Sequence, residues 1–175
     1  MHRRHFTRIT SGGLALAVVP PVLWQPPDLL VDGDRLTRTL TELARFGATA
    51  EGGVSRVAYS DADLAAREWV ATLMSDAGLE VSVDLAGNLI GRRTGSDPQL
   101  PPLLLGSHID SVPSGGNYDG QVGSMAALEV ATTLTDVGHR TRHGLEFVVW
   151  ANEEGGKTGS RAVSGEVDPA ELDVM

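Results

Sequence analysis

Two stretches of this 175-residue sequence indicate its fold. Residues 103–110 read LLLGSHID and residues 145–154 read LEFVVWANEE. Each is an apolar run that ends in polar, ionisable side chains. Short apolar runs of this kind are typical of buried strands. Between them, residues 120–137 carry apolar side chains at helical spacing and stop at Gly138. A strand, a helix and a second strand in this order predict a βαβ unit, and therefore a sheet that is at least partly parallel.

The sequence before this unit predicts two helices and a hairpin. Leucines recur at helical spacing over residues 33–46, and a second helix is expected to start at Ser60, a capping residue, and to end at Gly78. Residues 80–92 alternate around an Ala-Gly-Asn turn, which favours a β-hairpin. The leucine run that follows predicts a central, buried strand that ends near Gly106.

Composition restricts the classes of partner and of metal site. The chain holds 14 Lys and Arg against 23 Asp and Glu, a net charge of −9, so a nucleic-acid-binding surface is not expected. It contains no cysteine, which excludes disulfides, thiolate nucleophiles and Cys-ligated zinc. Any metal ion must therefore bind to histidine and carboxylate side chains.

Residues 1–27 differ in character from the rest of the chain. They contain Arg3, Arg4 and Arg8 and no acidic residue, followed by an apolar run and then by prolines. This layout predicts an export signal of the twin-arginine type, with residues 28–175 as the domain that it would carry to the periplasm or the cell exterior. The apolar run is too short to span a membrane. A disordered, Arg-rich start on a cytoplasmic protein remains the alternative.

Candidate functional side chains follow both predicted strands. His108 and Asp110 come directly after the first, Asp119 precedes the intervening helix, and Glu153 and Glu154 come directly after the second. In open α/β sheets, the carboxyl ends of the strands form the edge where binding sites lie. One imidazole with several carboxylates suits Zn²⁺, Mn²⁺ or Co²⁺. Any one of these side chains alone would more simply be a solvated loop residue.

Five ordered motifs resemble a known enzyme family. GSHIDSVP at 106–113, GGNYDG at 115–120 and NEEG at 152–155 resemble the dinuclear zinc hydrolases related to carboxypeptidase G and aminoacylase. YSDAD at 59–63 and DLAGNL at 84–89 make the chain most similar to one branch of them. That branch contains N-carbamoyl-L-amino-acid amidohydrolase, β-ureidopropionase and allantoate amidohydrolase. The resemblance implies a zinc-peptidase-like α/β domain, with a mixed, mostly parallel sheet between helices in three layers.

The resemblance also implies a role for each candidate residue. His108 would bind one of two divalent metal ions, Asp119 would bridge both, and Glu154 would bind the other. The ions would be zinc, or else manganese or cobalt. Glu153 would be the general base, and Asp110 would orient the ring of His108. These roles are physically consistent, because a carboxylate can bridge two cations and because a metal-binding imidazole needs an acceptor for its second nitrogen.

The implied reaction is hydrolysis of a C–N bond in a small carbamoyl or ureido substrate. In the family, two further histidine ligands and a lid and dimerisation domain follow later in the chain, and His139 and His143 do not align with those ligands. We therefore expect residues 28–175 to be the amino-terminal part of a catalytic domain, with weak or no activity and without the family homodimer. Two other hypotheses stay open. One is a dipeptidase or aminoacylase of the same superfamily, and the other is a non-catalytic exported domain that binds metal or a small ligand.

Overall fold

A computed structural model describes residues 29–167 of the chain. The predicted export signal at 1–27 lies outside the described residues and stays a prediction. The elements, in chain order, are α1 (Gly33–Leu43), α2 (Asp61–Asp76), β1 (Glu80–Val83), β2 (Leu89–Arg93), β3 (Leu103–His108), α3 (Gln121–Asp136), β4 (Leu145–Trp150) and α4 (Thr158–Ser164). Within residues 29–167, none of the helices combines the length and the apolar character that a membrane crossing requires.

The four strands form one mixed sheet in the order β1-β2-β4-β3. β3 and β4 pair in parallel and are joined through α3, so the predicted βαβ unit is confirmed. β1 and β2 form the predicted hairpin, and β2 also pairs antiparallel with β4. The mixed sheet is therefore confirmed, but one parallel pair against two antiparallel pairs makes the described part less parallel than expected.

The prediction that β3 is a central, buried strand is wrong for the described residues. β3 pairs only with β4 and forms an edge of the sheet, and Leu103 and Leu104 are each 52% exposed. β4 is the buried strand, because it has a partner on both sides. An apolar run of this length indicates a strand, but it does not distinguish an edge from a centre.

The hydrophobic core lies on one face of the sheet. Leu145, Phe147 and Val149 of β4 alternate into a cluster that also contains buried side chains of α1, α2 and α3. Gly91 faces α2 and pairs with Phe147, while Ser107 faces α3 and pairs with Val149, so both helices cover the same face. α2 and α3 thus cover one face of the sheet, and α1 packs against the same cluster.

A partly buried ion pair joins α1 to α3. Arg35 donates from Nε and Nη2 to the two carboxylate oxygens of Glu129 at 2.7 and 2.8 Å. Glu129 also accepts hydrogen bonds from the backbone N–H of Asp32 and the hydroxyl of Thr133. These bonds, led by those from Arg35, lower the pKa of Glu129 although burial acts to raise it. The pair therefore holds α1 against the core through charge-assisted bonds.

Candidate active site

The candidate site forms where β3 and β4 end side by side. His108, the last residue of β3, is paired in register with Trp150, the last residue of β4. The two following segments, 109–111 and 151–154, therefore leave the sheet as neighbours at its carboxyl edge. This is the edge that the sequence predicts for a site.

The ring of His108 is held at Nδ1 and faces Glu153 with Nε2. Its Nδ1 lies 3.1 Å from the carbonyl oxygen of Asp110 and 3.5 Å from the carboxylate oxygen Oδ1 of the same residue. Because both oxygens are acceptors, this geometry favours a proton on Nδ1. On the other side, Nε2 lies 3.6 Å from Oε2 of Glu153. His108 is buried, so the ring has one orientation, with Nε2 towards Glu153.

The Asp110 carboxylate joins the two strand ends. It is 2% exposed and accepts the backbone N–H groups of Glu153 at 3.3 Å and Glu154 at 3.1 Å. Burial acts to raise its pKa, but His108 and these two N–H groups outweigh that effect and hold the pKa below the ordinary 3.8. In return, the Asp110 carboxylate raises the pKa of His108 above 6.5, against the opposing effect of burial.

The structure brings only part of the predicted residue set together. His108, Asp110 and Glu153 are neighbours, whereas the side chains of Asp119 and Glu154 are exposed. Among residues 29–167 no group of three histidine, aspartate and glutamate side chains is arranged to hold a metal ion.

The fit to a metal ion is therefore partial. An imidazole and several carboxylates are suitable donors for a divalent ion. Gly120 packs against the Nε2 edge of the His108 ring, since a Cβ at that position would lie under 3.0 Å from this nitrogen. The donors fit in kind, but the three-ligand geometry is not assembled among residues 29–167.

Asn88 supports the site from the hairpin, and the sequence assigned it no role. Its side chain is fully buried, accepts the backbone N–H of Ala151 at 3.0 Å, and donates to the carbonyl of Gly159 and the carboxylate of Asp84. It thereby ties both ends of the segment that carries Glu153 and Glu154 to the hairpin turn. The DLAGNL motif contains both Asn88 and Asp84, but Ala151 and Gly159 are distant in sequence and only the fold reveals these two partners.

Asn152 gives the same segment its direction. It has a φ of 52°, in the left-handed region, where asparagine is one of the few non-glycine residues found with any frequency. This conformation turns the chain directly after β4, so that the next two backbone N–H groups reach Asp110. In the sequence, the only indication of this turn is that residue 152 is an asparagine.

We expect Asp110→Asn to lower the pKa of His108 and to destabilise the fold by about 2 kcal/mol at pH 5–6, because two backbone N–H groups lose a buried, charged acceptor. The same pair makes stability depend on pH. Folding lowers the pKa of Asp110, so the contribution of Asp110 to the free energy of unfolding is present above pH 3.8 and is lost as pH falls through its folded-state pKa. Folding raises the pKa of His108, so the contribution of His108 is present below pH 6.5 and is lost as pH rises through its folded-state pKa. Urea unfolding between pH 2 and 9 and a histidine NMR titration measure both effects.

The matched control is Asp97→Asn, which removes the same charge from an exposed pair with Arg142. It should change stability by less than about 0.5 kcal/mol and leave the His108 titration unchanged. An Asp110→Asn variant with an unchanged His108 titration would contradict the coupling between the two side chains.

Comparisons with known proteins identify relatives of this chain. Residues 88–173 match the family described as Peptidase family M28. The chain is 41% identical over 149 residues to the N-carbamoyl-L-amino acid amidohydrolase of Geobacillus stearothermophilus, covering 82% of this chain and 36% of that protein. It is 38% identical over 148 residues to the ureidoglycolate hydrolase of Arabidopsis thaliana, covering 82% and 31%.

A solved structure shows the same fold. The hydantoinase/carbamoylase family amidase from Burkholderia ambifaria superposes with a TM-score of 0.78 at 47% identity, covering 82% of this chain and 37% of that one. The present chain thus spans about a third of the length of each of these proteins.

Proposed function

Because the chain belongs to the amidohydrolase family that contains the N-carbamoyl-L-amino-acid amidohydrolases, we propose that it acts in hydrolysis of a C–N bond in a small carbamoyl or ureido substrate. The observation that carries this proposal is the linked arrangement of His108, Asp110 and Glu153 at the carboxyl edge of the sheet. A carboxylate and an oriented imidazole at one edge are groups that can carry the proton transfers of such a hydrolysis.

Glu153 is the proposed proton carrier. Its carboxylate is partly exposed, lies 3.6 Å from Nε2 of His108, and has Nζ of Lys157 3.9 Å from its other oxygen. It would take a proton from water as the water oxygen attacks the carbamoyl carbon. It would then deliver that proton to the substrate nitrogen as the C–N bond breaks. The carbamoyl carbon leaves as carbamate, which decomposes to ammonia and carbon dioxide, and the amine is released.

Asp110 and His108 would keep that carboxylate in place. The two N–H bonds to Asp110 hold the backbone of Glu153 and Glu154, and the buried ring of His108 forms the wall that faces Oε2 of Glu153. Preorganised groups of this kind lower the barrier because they need not reorient during the reaction.

A divalent ion would fit this proposal as a cofactor, with His108 and the carboxylates of Asp119 and Glu154 as the groups that would hold it. When bound, it would supply polarisation of water and of the substrate carbonyl.

A peptidase remains the second candidate, because the family matched by residues 88–173 is described as a peptidase family. Peptide and carbamoyl substrates both contain an amide-type C–N bond, so the same proton steps would serve either. The residues that bind the rest of the substrate determine whether a carbamoyl or a peptide substrate is cleaved. A direct assay distinguishes these two activities.

The test is an assay of the purified chain with N-carbamoyl-L-amino acids, ureidoglycolate and dipeptides, with and without added Zn²⁺, Mn²⁺ or Co²⁺. We expect slow release of ammonia and free amino acid from the carbamoyl substrates, because the chain spans about a third of the length of its relatives. That release should be lost with a chelator, and dipeptides should not be cleaved. Cleavage of dipeptides alone would favour the peptidase. Metal binding without hydrolysis of any substrate would favour the non-catalytic binding domain.

A further inference from the structure

Arg56 is a buried cation whose side chain binds backbone carbonyls. It is 0% exposed, and its Nε donates to the carbonyl of Ile109 at 2.6 Å. Its Nη1 donates to the carbonyls of Leu43 and Phe46 at 2.9 and 2.7 Å. Placing a guanidinium in the interior opposes folding unless its donors are satisfied. The three bonds satisfy Nε and Nη1 of Arg56, whereas its Nη2 has no hydrogen-bond partner among residues 29–167.

The three carbonyls belong to two separate parts of the molecule. Leu43 is the last residue of α1 and Phe46 lies in the turn after it, where carbonyls have no partner within the helix. Ile109 stands between His108 and Asp110, at the centre of the candidate site. A single guanidinium therefore joins the end of α1 to the loop that carries the site.

The backbone of Arg56 binds the same loop. Its N–H donates to Oγ of Ser111 at 2.9 Å, and its carbonyl accepts the N–H of Ser111 at 2.9 Å. Residues 109 and 111 are thus both held by Arg56, and Asp110 lies between them. Asp63 and Asp110 also act to raise the arginine pKa that burial lowers, so their charges favour the protonated guanidinium.

We propose that Arg56 is a positioning residue of the candidate site, which fixes the peptide of Ile109 and through it the ring of His108 and the carboxylate of Asp110. The catalytic consequence rests on the proposed function, but the positioning itself does not. Arginine suits this task because its planar fork donates in two directions at once, whereas a lysine ammonium cannot reach the carbonyls on both sides.

The experiment uses the metal-free chain and two substitutions, Arg56→Lys and Arg56→Met. Histidine ring resonances are recorded by NMR, with His108 assigned by its loss in His108→Gln, and amide hydrogen exchange is measured at Glu153 and Glu154. Both variants should shift and broaden the His108 signal and lower the protection of the two amides by about tenfold or more, because the loop that holds Asp110 becomes mobile. Arg56→Lys should not restore the His108 signal or the amide protection, since lysine keeps the positive charge but lacks the planar guanidinium that donates to carbonyls on both sides.

Two further variants keep the test decisive. Glu129→Gln removes the buried partner of Arg35 far from the site, so it should lower the urea midpoint and leave the His108 signal and both amides unchanged. Ser111→Ala removes the hydroxyl that accepts the N–H of Arg56 and donates to the carbonyl of Val54. It should move the His108 signal in the same direction by a smaller amount even where Arg56→Met does not fold.

The proposal is overturned when Arg56→Lys and Ser111→Ala lower stability as Glu129→Gln does and leave the His108 signal and both amides in place. Arg56 would then only cap α1. A wild-type chain without hydrolytic activity would count against the proposed function and would not alter this readout, so the two failures are distinguishable.

Discussion

Glu153→Gln should lower the rate of hydrolysis of the carbamoyl substrate by about 10²–10⁴-fold, because an amide side chain of nearly the same shape cannot accept the proton from water. The fold should be unchanged, since the contact that anchors this residue is its backbone N–H to Asp110 and is retained in the variant. Steady-state assays with the substrate that the wild-type chain cleaves, together with urea unfolding, measure both parts.

The control for this substitution is Glu68→Gln, on the exposed side of α2. It removes the same charge and should leave the rate within about twofold of wild type, because an exposed charge away from the site contributes little. The role of Glu153 would be refuted by a Glu153→Gln chain that is folded and hydrolyses the substrate at the wild-type rate.

Gly106→Ala should destabilise the chain by about 4 kcal/mol or more, which is enough to unfold a domain of ordinary stability. Gly106 has a φ of 148°, and a Cβ there would lie under 3.0 Å from the backbone O, C and N of Val148. Val148 cannot move aside, because β4 also pairs with β2 on its other side. Far-UV circular dichroism and urea unfolding of the purified variant measure the loss.

Gly52→Ala separates the two causes of the loss of stability in Gly106→Ala, which are the positive φ and the close approach of Val148. Gly52 also has a positive φ, of 90°, but no heavy atom lies within 4 Å of the position of its Cβ. It should therefore show only the conformational cost of a side chain at positive φ, about 1 kcal/mol. Equal effects of the two substitutions would mean that the close approach of β3 and β4 at Gly106 does not limit stability.

Much of the local structure can be read from the chain because its signals are local. Ser60 caps α2, the helical spacing over 120–137 yields α3, and the alternation over 80–92 yields the hairpin. α4 was not predicted, since no side chain caps its start and its first neighbour, Lys157, is in the left-handed region. Its amino-terminal turn is held through Gly159 by Asn88 and Ala151, which a reading of residues 155–161 alone cannot reveal.

The candidate site was partly predictable for a similar reason. Residues that directly follow two parallel neighbouring strands must meet at one edge, so the proximity of His108, Asp110 and Glu153 follows from the βαβ pattern. Asp119 and Glu154 lie on loops, where a change of a few torsion angles redirects a side chain, and spacing could not show that both are exposed. Their proposed part in holding metal stays a prediction.

Sequence alone was sufficient for the helices, the hairpin, the βαβ unit and the family, because these depend on short-range periodicity and on ordered motifs. The tertiary structure decided the exposed edge at β3, the packing of α2 and α3 on one face of the sheet, and the use of Arg56 and Asn88 as supports of the site. Each of these depends on contacts between residues far apart in the chain. Such contacts leave no periodic signal, because the partner of a buried arginine or asparagine is a backbone carbonyl or N–H that every residue type can supply.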